Sequence, residues 1–153
     1  MEPTLGYKIG EISTTPEATA GTVIRNIITT AYPYLRDYIY VKAAENITAL
    51  NFVKGGVTIA LAYSVSHTTE ITDGVMGCAH IAITSGYYGW IVRAGLVAGA
   101  NVATASTAGK PLSATATDGR LALYAAADTT VPVVFALTDA SSNAADVILR
   151  RNN

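Results

Sequence analysis

The chain has two histidines and one cysteine, and these are the first residues to weigh for chemistry. His67 stands in Ser66-His67-Thr68-Thr69-Glu70, at the polar end of an alternating segment. There it could serve as a base beside a hydroxyl nucleophile, with a carboxylate to orient it. No Gly-x-Ser-x-Gly elbow supports that use, and the expected state is a solvated loop histidine. Cys78-Ala79-His80 sets a thiol and an imidazole on one face of an extended segment. Zinc takes four ligands, and the chain has no second cysteine to add. Cys78 is therefore expected as a small core residue, with His80 as its polar neighbour. Glu70 with Asp73, or Asp118 with Asp128, could form a glycosidase-type pair. Asp73 and Asp118 each precede glycine, however, which is the usual turn role. Gly95-Leu96-Val97-Ala98-Gly99 and Gly109-Lys110-Pro111 do not assemble a phosphate-binding loop. The search yields no catalytic, cofactor-binding or metal-binding set.

What remains is aromatic. Tyr87-Tyr88-Gly89-Trp90 holds the only tryptophan of the chain. Such a stretch could stack on a sugar or a nucleobase, or it could open a tightly packed strand. In an extended segment Tyr88 and Trp90 share one face and Tyr87 takes the other. Gly86 and Gly89 permit a bend on the way into the strand, and Gly89 is expected to make it. The packing reading is preferred, with Trp90 as a core anchor and a tyrosine reaching a neighbouring strand or subunit.

The elements that must position these residues are strands. The dominant period is two: Val57, Ile59, Leu61, Tyr63 and Val65 alternate with Thr58, Ala60, Ala62 and Ser64, which predicts one half-buried strand over residues 57–65. Residues 37–43 are rich in β-formers and include Tyr38 and Tyr40. Further strands are expected at residues 22–28, 50–53, 77–84, 90–95, 120–125, 131–137 and 146–150. Gly55-Gly56, Asp73-Gly74 and Asp118-Gly119 read as turns, and Gly109-Lys110-Pro111 as a loop. Residues 141–145 could form one helical turn. The expected fold is all-β: a single barrel, β-tulip or sandwich domain over residues 17–153. Residues 1–16 carry little apolar periodicity and are expected as an extended N-terminal arm, free or docked on a neighbour.

Composition narrows the function classes. Of 153 residues 50% are hydrophobic and only 14% charged, where about 25% is typical of soluble domains. No apolar run approaches the roughly 18 residues of a membrane helix. A surface this poor in charge suits burial against other subunits. The net charge of −1, with lysines and arginines spread singly apart from Arg150-Arg151, gives no footprint for nucleic acid or an anionic membrane. The start Met1-Glu2-Pro3-Thr4-Leu5 lacks a signal peptide's basic and apolar regions, and a single cysteine fits synthesis in a reducing cytoplasm.

The run Tyr87 to Gly95, followed by Ala108-Gly109-Lys110-Pro111-Leu112, Asp118-Gly119-Arg120-Leu121 and the ending Val147-Ile148-Leu149, resembles the head decoration (cement, or capsid-stabilising) proteins of tailed bacteriophages. Tyr38-Ile39-Tyr40-Val41-Lys42-Ala43 is similar to that family's Y-x-Y-V-x-A strand. The resemblance covers about residues 21–151, and Arg93 stands where the family commonly has glutamine. It implies a β-barrel or β-tulip domain that trimerises on the outside of a capsid and clamps neighbouring major capsid protein subunits. It implies neither catalysis nor a cofactor. Structural or interface roles then fall to Tyr38, Tyr40, Tyr87, Tyr88, Gly89, Trp90 and Arg93. The alternatives are a glycan- or receptor-binding module of a virion, which needs Trp90 exposed, and a small hydrolase built on His67.

Overall fold

In a computed structural model of the chain, the described residues are 8–28, 34–57, 63–69, 73–125 and 133–150. The strands are β1 (Val23–Ile28), β2 (Tyr34–Ala43), β3 (Phe52–Val57), β4 (Tyr63–His67), β5 (Gly77–Cys78), β6 (Tyr88–Asn101), β7 (Pro111–Ala114), β8 (Leu121–Leu123), β9 (Val134–Ala136) and β10 (Ala144–Leu149). No helix forms among the described residues, and the fold is all-β. Hydrogen bonding runs in the order β1-β2-β4-β3-β5-β6-β10-β9-β7-β8, and β2 pairs with β6 as well. Strands β2, β4, β3, β5 and β6 thus form a ring of pairings, while β1 and β8 end the pairing order, Leu121 of β8 also bridging Val102. Every pairing between these strands is antiparallel except β2 with β4; the isolated bridge of Val102 to Leu121 is also parallel.

Strand β6 holds the two halves together. Its first part pairs with β2, Tyr40 opposite Trp90, and its second with β10, Val147 opposite Val97. Period-two alternation then sorts the side chains. Tyr38, Tyr40, Phe52, Cys78, Trp90 and Val92 enter the larger core with Leu112, Leu121, Val134 and Val147 from the second half. Ile39, Val41, Val53, Ala79 and Ile91 enter a smaller core on the other face, joined by Ile47 and Ile83. The chain passes between the halves at Gly95, whose φ of 111° suits glycine. A Cβ there would lie 2.7 Å from the Leu35 carbonyl oxygen.

Several expectations are corrected. The single strand over 57–65 does not exist, because Val57 and Tyr63 are cross-strand partners of an antiparallel pair; residues 58–62 lie outside the described residues. Gly55-Gly56 is no turn but the interior of β3, opposite Val65 and Ser64. The reason is space: a side chain on Gly55 would run into Met76 Sδ. The strand expected at 77–84 is only Gly77–Cys78, and Ile83 returns as an isolated bridge to Ile47. Pro111 ends the expected loop but begins β7, a position where proline's missing N–H costs nothing. Residues 141–145 make no helical turn. Ser142 and Asn143 both adopt positive φ, 51° and 62°, between the bridged pair Ser141 and Ala144, a tight hairpin of the primed type.

Residues 8–16 of the expected arm lie along the chain's own body. Ser13 and Tyr88 exchange both backbone hydrogen bonds, at 3.0 and 2.8 Å. Ile12 packs on the smaller core and Ile9 on the larger.

Candidate functional site

The aromatic stretch is reached through a turn. Gly86 has φ of 81°, and Tyr87 N–H closes the turn onto the Thr84 carbonyl at 3.0 Å. The bend expected at Gly89 is therefore at Gly86. Gly89 sits buried within β6, where its constraint is room rather than rotation: a Cβ would meet Ile83 Cδ1 at 3.0 Å and Ile12 Cγ2 at 3.5 Å. From there the chain alternates as expected. Tyr88 and Trp90 both pack on Tyr40, at ring separations of 5.9 and 4.9 Å. Tyr87 turns to the smaller core.

Exposure separates the candidates. Tyr38 (3%), Tyr40 (1%) and Trp90 (0%) are core residues with no surface to offer a ligand. Tyr40 spends its hydroxyl as acceptor of the Glu17 N–H at 3.0 Å, another tie to the N-terminal segment. Tyr87, Tyr88 and Arg93 are half-buried. Lys42 Nζ lies 5.5 Å from the centre of the Tyr88 ring. Arg36, which the sequence did not single out, bridges β2 and β6. It donates twice to the Leu96 carbonyl, at 2.9 and 2.6 Å, and once each to the hydroxyls of Tyr34 and Tyr38.

Among the described residues, the histidines and Asp73 already have partners, and Cys78 is buried. His67 is 7% exposed rather than solvated. Its Nδ1 lies 3.1 Å from Glu45 Oε1, which also accepts the His67 backbone N–H, and its Nε2 accepts the Thr48 N–H at 3.2 Å. The ring nitrogen that could act as a base is thus already holding a backbone amide. Cys78 is fully buried, and that burial pushes its thiol up to about 12, so the nucleophilic thiolate is not formed at neutral pH. His80 Nε2 donates to the Ile9 carbonyl at 2.9 Å, and its ring meets Tyr38 edge-on at 5.3 Å. Burial lowers the His80 pKa below its ordinary value. Asp73 receives the Thr69 N–H at 2.7 Å and Lys54 Nζ at 3.0 Å. Its suggested partner Glu70, and Asp128 beside Asp118, lie outside the described residues. Among the described residues no three His, Cys, Asp or Glu side chains gather as a metal site.

No protein-family model matches the chain, and no curated protein matches it. Its fold does have a solved counterpart. The crystal structure of the N base of the head fibre gp8.5 of bacteriophage phi29 superposes with a TM-score of 0.56 at 15% sequence identity. The match covers 76% of this chain and 95% of that one, and at this identity it speaks for the fold. Nearly the whole of the fibre base is therefore represented here. The described residues of this chain form an all-β architecture.

Proposed function

We propose that the chain is a structural protein of a bacteriophage head, a decoration or cement protein. It binds the outer capsid surface as a homotrimer and clamps neighbouring major capsid protein subunits, without catalysis or cofactor. The observation that carries this reading is the fold shared with a head-fibre base over 95% of that chain. The motif resemblance of residues 21–151 points to the same location on a particle. A head-fibre base and a cement protein both have to hold to the outside of a shell. That task needs contact area and repetition, and several weak contacts made together hold far more tightly than one.

The surface fits the task. Leu96, Ile148, Phe135 and Pro111 lie at successive register positions across β6, β10, β9 and β7, so they share one face of the second half. Ile148 is exposed there, as are Leu137 and, elsewhere, Leu35 at 53%. Exposed apolar side chains on a chain with only 14% charged residues favour a covered face. A glycan platform is not favoured, because Trp90 lies wholly inside the core.

The test mixes the purified chain with mature heads lacking it and with unexpanded proheads. Saturable co-sedimentation with mature heads alone, and a solution mass of three chains, are the expected results. A monomer that stays in the supernatant with both particles would defeat the proposal.

A further inference from the structure

Arg93 occupies an unusual place on β6. On one side, Tyr38 pairs with Val92 and Asp37 with Ala94, so Arg93 is the extra residue of a β-bulge. On the other side, Val92 pairs with Cys78 of β5 and Gly95 with Leu149 of β10. Arg93 thus stands where β6 leaves one partner and takes the next. A cavity of about 200 Å³ opens there, with Val75, Met76, Val133 and Leu149 in its wall and Arg93 and Arg150 lining it. It falls below the roughly 300–1,000 Å³ of sites for drug-sized ligands, and so suits a group the size of one side chain.

Arg93 and Arg150 have no counter-charge among the described residues. Among the described residues neither donates a side-chain hydrogen bond or forms an ion pair. Arg150 lies over the Phe135 ring at 4.4 Å, a stacking that occupies the face of the guanidinium and leaves its N–H edge free. Arg93 is half-buried and Arg150 exposed, and an anion held at this cavity gains from both positive charges. A planar carboxylate matches the guanidinium edge in pairs of parallel hydrogen bonds. The apolar wall suits a short hydrocarbon stem behind it.

We propose that this cavity is a binding site for a carboxylate carried on an apolar stem, with Arg93 and Arg150 as its two anion-binding residues. The carboxylate could end a chain or belong to an acidic side chain. Titrating the full-length protein with N-acetyl-leucine and with acetyl-Leu-Glu-amide, followed by NMR, separates these two sources. At least one ligand is expected to shift the amides of Arg93, Ala94, Val133 and Arg150 in a saturable way. Arg93→Gln and Arg150→Gln should each weaken that binding by at least about tenfold. Both variants should keep the parent spectrum elsewhere, since neither arginine holds another described residue by its side-chain N–H groups. N-acetyl-leucine amide, which has the stem without the charge, should give no saturable shift. Failure of both carboxylates to bind, binding of the amide as tightly, shifts confined to other residues, or unchanged affinity in both arginine variants would each overturn the assignment.

Discussion

Trp90 and Cys78 show how strongly burial decides what a side chain can do. Trp90 is wholly enclosed between Tyr40 and the larger core. Its fluorescence should resist quenching by iodide and by a panel of sugars. Trp90→Ala should cost about 3–5 kcal/mol in denaturant unfolding, the usual range for emptying such a site. Gly89 is the tighter constraint beside it. Gly89→Val should destabilise by roughly 1–3 kcal/mol, because its Cβ already meets Ile83 at 3.0 Å and the two methyl groups beyond it must be fitted beside Ile83 and Ile12. A variant as stable as the parent would contradict the packing described here. Cys78 should not react with a thiol reagent at pH 8 until the protein unfolds. Its pKa is raised on folding, so the native state holds the proton more tightly than the unfolded one. The stability this gives is complete below about 9 and is lost as the pH rises toward about 12.

The N-terminal segment and the strands it touches behave as one unit. Ser13 pairs with Tyr88, Glu17 N–H reaches Tyr40, and His80 holds the Ile9 carbonyl. Deleting residues 1–16 should leave a folded domain, measured by circular dichroism, with a lower denaturation midpoint and weaker attachment to heads. An unfolded product would show that the segment belongs to the core. His80 adds a pH dependence to this dock. Burial depresses its pKa, so the unfolded state takes up the proton first, and stability falls as the pH drops below 6.5. Unfolding measured at pH 7.5 and 5.5 should show that loss, and His80→Asn should reduce it. Little of this dock was legible beforehand. Residues 1–16 have no periodic pattern of their own, and the docking contacts of Ile9 and Ser13 take their partners from distant parts of the chain. The strand at residues 37–43 was legible from its β-formers, and both faces of β2 meet apolar cores, with the two tyrosines sharing one of them. The pairing of Val57 with Tyr63 was not. The alternating run spans the last residue of β3 and the start of β4, so period alone could not show where the chain reverses.

At the scale of the molecule, composition and the absence of a reactive set pointed away from chemistry, and the all-β class followed from turns and short alternating runs. The topology did not, because β6 changes partners at Gly95 and β2 takes a third neighbour, pairings that no local pattern encodes. The location of the candidate site was hidden for the same reason. Arg93 was singled out only as a departure from a family pattern, whereas the bulge and the cavity beside it depend on four strands that meet there. The central claim is that this domain works by holding to the outside of a phage head. A density map of the intact particle of the encoding phage tests it most directly. The account predicts this fold in threefold groups on the outer shell, spanning the joints between major capsid protein subunits. Finding the fold elsewhere on the particle, or a shell with no density for it, would contradict the account.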